Sequence, residues 1–106
     1  MSETQKTIEV RRSADRVDVV LNRPQVRNAF DAVLISELTK TFASLSADPD
    51  VRVVVLSGEG KVFSAGADVN WMKDSIDLTP EQNKEDAFRM SEMFRTISEA
   101  PFPVIV

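Results

Sequence analysis

The chain has 106 residues, 42% of them hydrophobic and 28% charged, with a formal net charge of −4. That length suits one small domain, and the negative balance argues against nucleic acid or an anionic membrane surface as the main partner. Cysteine, histidine and tyrosine are absent, which excludes disulfides and thiolate metal sites and leaves Asp, Glu and Lys for any acid–base work.

The first residues, Met1-Ser2-Glu3-Thr4-Gln5-Lys6, are polar and lack the apolar run of a signal peptide. No apolar stretch approaches the roughly 20 residues of a membrane span. A soluble cytoplasmic protein with no membrane partner is the expectation. Residues 7–11 and 17–21 are apolar-rich runs separated by Ser13-Ala14-Asp15, which reads as a β-hairpin. The second run stops at Asn22-Arg23-Pro24, where proline removes a backbone donor. Leu34, Leu38, Phe42 and Leu45 then recur at spacings of three or four, the stripe of a one-faced helix. Asp31 suits the first turn of that helix through the helix dipole, and Asp48-Pro49-Asp50 ends it.

Val51-Arg52-Val53-Val54-Val55-Leu56 is the strongest strand pattern, and its aliphatic run predicts burial on both faces, as in a parallel sheet. Gly58-Glu59-Gly60 turns the chain out. After Val62-Phe63 comes Ser64-Ala65-Gly66-Ala67-Asp68, with Asp68 placed to cap a short helix through Asn70, Trp71 and Met72. Thr79-Pro80-Glu81-Gln82 opens another helix: threonine caps, proline takes the first helical position and Gln82 completes a capping box. Its apolar stripe is Ala87, Met90, Phe94 and Ile97, with weak surface pairs from Glu85 to Arg89 and Arg95 to Glu99. Pro101-Phe102-Pro103 breaks it, and Val104-Ile105-Val106 begins what reads as another buried strand. Hairpin, helix, strand, loop, helix and strand onset make an α/β layout with right-handed crossovers. The pattern reads as truncated before its next crossover.

The loop after the long strand is the candidate site, because open α/β sheets bind ligands at the carboxyl ends of their strands. Small residues from Ser64 to Ala67 let a ligand approach the backbone, and Gly66 tolerates dihedral angles other residues resist. A helix N-terminus comes next, with unpaired amides of the kind that hold an anion or oxyanion. On the residues alone, a turn glycine and a capping aspartate are the stronger explanation of the loop. It is neither GxGxxG nor a P-loop.

Asn22-Arg23-Pro24, Asn28-Ala29-Phe30-Asp31, the aliphatic strand and Phe63-Ser64-Ala65-Gly66-Ala67-Asp68, in this order and spacing, resemble the crotonase (enoyl-CoA hydratase/isomerase) superfamily. Pro101-Phe102-Pro103-Val104-Ile105 resembles its entry into the next strand. The resemblance covers nearly the whole chain. It implies that residues 1–106 are the N-terminal part of a crotonase-like acyl-CoA-binding domain, a spiral of ββα units.

Two backbone amides in such a site hold the thioester oxygen as it gains enolate charge. By position, the Ala67 amide resembles the first. Backbone around Ala65, within Ser64-Ala65-Gly66, resembles the segment that contacts adenine. Ala67, Asp68, Val69 and Asn70 would line the acyl pocket, and Arg27 and Ala29 would pass beside the CoA, although Arg27 could equally be a solvated charge. Trp71 and Met72 would close the acyl end or pack a short amphipathic helix. Coenzyme A enters as part of the substrate; no prosthetic group and no metal are expected. A trimer or hexamer is implied for the full-length protein.

Within the family, Ala67-Asp68-Val69-Asn70-Trp71-Met72-Lys73 looks most like hydratases of branched, carboxylated enoyl-CoAs such as methylglutaconyl-CoA hydratase. The second oxyanion amide and the catalytic glutamates of the family lie beyond Val106. Glu81, Glu85, Asp86 and Glu92 read as a polar helix face. Two hypotheses remain: a segment of a CoA-dependent hydratase or isomerase that is inactive alone, or a non-catalytic CoA-binding or interaction module.

Overall fold

A computed structural model describes residues 7–106; the polar stretch from Met1 to Lys6 lies outside them. Strands β1 (Ile8–Ser13) and β2 (Arg16–Leu21) form the antiparallel hairpin, in register from Ile8 opposite Leu21 to Ser13 opposite Arg16. The turn is shorter than Ser13-Ala14-Asp15 suggested, because Ser13 still pairs; Ala14 makes the reversal with φ 57°. A 3-10 turn at Pro24–Val26, which no periodicity announced, leads through left-handed Arg27 and Asn28 to helix α1 (Ala32–Ser46).

Asp31 is the N-cap of α1 rather than a first-turn residue: its carboxylate accepts from the Leu34 amide at 2.9 Å. The helix buries Leu34, Ile35, Leu38, Phe42 and Leu45. Strand β3 (Val53–Gly58) starts and ends two residues later than the aliphatic run. The reason is register: β2 begins at Arg16, and parallel pairing sets Val53 opposite it. Val51 joins the core as the lead-in. Burial on both faces does not hold. Val54 and Leu56 are buried on the side that carries the helices, whereas Val53 and Val55, pointing to the opposite face, are half-buried.

Helix α2 (Val69–Ser75) and helix α3 (Pro80–Ser98) come next, then β4 (Val104–Ile105), which pairs parallel with β3. The sheet order is β1-β2-β3-β4. The capping box at Thr79 and Gln82 is formed in both directions. The stripe of α3 is rotated from the expected one. Met93 is fully buried and Met90 and Ile97 pack against the core, as does Ala100 just past the helix, while Ala87 is exposed and Phe94 is 54% exposed. Residues 90, 93 and 97 form the arc of α3 that meets the core, and Ala87 and Phe94 sit at its margin. The strand onset is likewise only half enclosed: Val104 packs on the core, but Ile105 faces outward at the sheet edge. The pairs Glu85–Arg89 and Arg95–Glu99 form at 3.8 Å and 3.2 Å on the surface, where each adds little.

One core holds these elements together, with Val17, Val19 and Leu21 of β2 and Val54 and Leu56 of β3 facing Leu34, Leu38 and Phe42 of α1. Among the described residues, no helix is long and apolar enough to cross a membrane. At the end of β3, Gly58 lies against the loop that prepares the site: a Cβ there would stand 2.5 Å from the Phe63 carbonyl oxygen and 2.7 Å from the Asn28 amide nitrogen. Gly58→Ala is therefore expected to destabilise the protein by about 1–3 kcal/mol, the usual cost of overpacking. A denaturant titration with an unchanged midpoint would show that the two loops can separate freely.

Candidate functional site

Two loop segments, residues 27–31 and 64–68, are laced together beyond the ends of β2 and β3. The Ala65 amide donates to the Arg27 carbonyl at 2.9 Å. The Ser64 hydroxyl donates to the Asn28 carbonyl and accepts from the Gly66 amide. The Phe30 amide donates to the Gly66 carbonyl, and the Asp68 amide donates to the Phe30 carbonyl, both at 2.7 Å. Phe30 and Ala67 thus form an isolated parallel bridge.

This lacing orients the Ala67 amide. The Gly66 carbonyl and the Ala67 N–H belong to one planar trans peptide and point in opposite directions. Since the carbonyl is held by Phe30, the N–H is directed away from Phe30. It meets no acceptor among the described residues. Gly66 has φ +92°, and an added Cβ would touch nothing within 4 Å. Glycine is needed there for the backbone angle rather than for room.

Polar side chains hold the lacing from behind. Asn28 is fully buried with φ 55°. Its side-chain Oδ1 accepts from the Arg23 backbone amide at 2.7 Å, and its Nδ2 donates to the Glu59 and Val62 carbonyls at 2.9 and 2.8 Å. One buried amide therefore fastens residues 23, 59 and 62, with its main hydrogen-bonding capacity used. Arg23 donates to the Ala29 carbonyl and contacts the carboxylates of Asp31 at 3.3 Å and Asp68 at 3.2 Å. Asp68 also caps α2 by accepting from the Asn70 and Trp71 amides. The Trp71 and Asn70 amides, together with the Arg23 guanidinium, hold its carboxyl below the usual range against the opposing effect of burial. It is an anchored carboxylate, not a poised base.

Beside this lacing lies a cleft of about 340 Å³. Of the residues named from sequence, Arg27, Ala29, Ala65, Ala67, Asp68, Val69 and Asn70 line it. Ser64 and Gly66 do not; they shape the loop from within. Gln25 and Val26 line it as well, and sequence reasoning passed over both because neither carries a distinctive chemistry. A second depression of about 300 Å³ lies on the other side of Asp68, walled by Arg23, Asp31 and Trp71 among others. Trp71 packs on the hydrophobic core, and Met72 is exposed. Asn28 and Arg23 were legible only as parts of a motif; their positioning work depends on partners up to 45 residues away in the chain.

Comparison with known proteins gives a consistent picture. Residues 12–106 match the family described as Enoyl-CoA hydratase/isomerase. The human mitochondrial Delta(3,5)-Delta(2,4)-dienoyl-CoA isomerase is 38% identical over 96 residues, covering 82% of this chain and 29% of its own. An enoyl-CoA hydratase from Shewanella pealeana superposes with TM-score 0.91 at 29% identity, over 96% of this chain and 38% of that one. One from Mycobacterium smegmatis gives TM-score 0.87 at 31% identity, over 94% and 38%. The chain spans about a third or less of the length of the curated relatives it matches.

The Asp68 environment has a pH consequence. A carboxyl whose pKa is lowered by folding contributes stability above its ordinary value, near 4, and loses it as pH falls through the lower folded value. Acid unfolding followed by circular dichroism is expected to show this loss in the wild type. It should be reduced in Asp68→Asn, which keeps a capping oxygen; identical acid profiles for the two proteins would rule out the contribution.

Proposed function

Because the chain belongs to the enoyl-CoA hydratase/isomerase family, whose match covers residues 12–106, we propose that it supplies half of an oxyanion hole to an enzyme acting on acyl-CoA thioesters. The observation that carries this reading is the Ala67 amide: it is directed away from Phe30, has no acceptor among the described residues, and belongs to a residue in the cleft wall.

The chemistry is direct. Removing a proton alpha to a thioester, or adding water to its enoyl form, moves negative charge onto the thioester oxygen. A donor already aimed at that oxygen stabilises the charge without reorganising. A backbone donor survives any ordinary side-chain change, which suits a loop built from small residues. In this reading the thioester oxygen meets the Ala67 amide and the acyl group runs past Asp68, Val69 and Asn70. The CoA passes Arg27 and Ala29, with its adenine against the backbone at Ala65. Ser64 and Gly66 keep the loop in shape.

The second amide and the acid–base carboxylates are then supplied by sequence outside residues 1–106. Asp68, the carboxylate in the cleft wall, does not compete for the base role, since it is held by three donors. Hydratase and isomerase both appear among the names of the relatives, and the proposal covers the enolate step the two reactions share. A cytoplasmic location and assembly as a trimer or hexamer complete the reading.

The decisive experiment replaces the Ala67 amide by an ester in the complete enzyme, by semisynthesis. Removal of the N–H alone is expected to lower kcat for crotonyl-CoA about 10²–10³-fold. Full activity in the ester would refute the donor role. The 106-residue chain by itself is expected to give no hydration of crotonyl-CoA above the blank, measured by loss of enoyl absorbance. Turnover would contradict the division of the site between two parts of the protein.

A further inference from the structure

We infer that Arg23 is a positioning residue for the acyl-CoA chemistry proposed above, on which this inference rests: its guanidinium sets the direction of the Ala67 amide by tying together the two segments that bracket it. The direction of that amide depends on one hydrogen bond, from Phe30 to the carbonyl of Gly66. Arg23 reaches both sides of this bond. On one segment it donates to the Ala29 carbonyl and contacts the Asp31 carboxylate, the two residues flanking Phe30. On the other it contacts the carboxylate of Asp68, the residue after Ala67.

The two carboxylates meet the same guanidinium nitrogen. Without the cation between them they would face each other as like charges. Repulsion would then act across the bridge that holds Phe30 against Gly66 and Ala67. The Arg23 side chain is only 15% exposed and that of Asp68 9%, so water screens these contacts less than a surface pair. The guanidinium serves the Ala29 carbonyl from Nη1 and both carboxylates from Nη2, two nitrogens held apart in one plane; a lysine ammonium has its three donors on a single centre and no fixed plane.

Each aspartate also caps a helix, Asp31 for α1 and Asp68 for α2. Arg23 therefore couples the start of both helices to the bridge, and none of its contacts requires it to touch the substrate. A role confined to folding would lower stability and leave the folded enzyme's turnover intact. A positioning role changes turnover in enzyme that is folded and binds substrate.

The test uses the complete enzyme with crotonyl-CoA. Arg23→Gln is expected to lower kcat about 10-fold or more, bounded by the 10²–10³ expected for losing the donor, with KM within about threefold. Adding Asp31→Asn and Asp68→Asn to that variant removes the repulsion and is expected to recover part of the lost kcat. In parallel, the thioester carbonyl band of bound butyryl-CoA should move back toward its position in water in Arg23→Gln, reporting a donor no longer aligned. If Arg23→Gln does not fold, Arg23→Lys is read by the same two measurements. A folded variant with wild-type kcat and an unshifted carbonyl band, whatever its melting temperature, overturns the inference. A wild-type enzyme inert toward crotonyl-CoA and other enoyl-CoA thioesters would instead remove the acyl-CoA reading itself.

Discussion

The bridge between Phe30 and Ala67 is the contact on which the arrangement of the site depends. Its two hydrogen bonds, Phe30 to Gly66 and Asp68 to Phe30, are ordinary backbone interactions. Their consequence comes from peptide planarity, which turns a satisfied carbonyl on one side into a directed N–H on the other. The free donor is therefore a product of the bonds beside it. Ala67 is half-buried in the cleft wall, and the surrounding bonds hold its N–H in one direction.

The bridge would be weak in isolation, and the fold supplies its support in layers. Beneath it, the core between α1 and the strands β2 and β3 sets where the two loops emerge. Parallel pairing of Leu21 with Gly58 brings both loops out at the same end of the sheet. Gly58 lets the loops close on each other, because any side chain there would meet Phe63 and Asn28. Asn28 then ties residues 23, 59 and 62 through one buried amide. A buried polar group with its partners satisfied specifies one arrangement, since leaving any partner unpaired carries a desolvation cost of about 1–3 kcal/mol.

Much of this was legible in the sequence where the signal is local. The capping box at Thr79, the cap at Asp68 and the α1 stripe all depend on residues within a few positions of each other and form as read, and the hairpin forms with a shorter turn. Non-local properties were less legible. The bounds of β3 are set by where β2 begins. The buried arc of α3 is set by how α1 presents its surface, which brought Met93 inward and left Phe94 at the margin. Periodicity reports that a face exists; packing decides how far around the helix that face is covered.

For the site, the sequence by itself determined the loop: small residues from Ser64 to Ala67, a glycine able to take positive φ, and an aspartate able to cap the next helix. Those features are chemical properties of single residues and need no partner to be recognised. Tertiary structure alone decided which of them border open space and which are structural, sending Ala67 to the cleft wall and Ser64 and Gly66 to the interior of the loop. It also revealed Arg23 and Asn28 as the groups that hold the loop. Their partners lie up to 45 residues away, and side-chain contacts over such separations are created by the packed fold, not by any local preference of the chain.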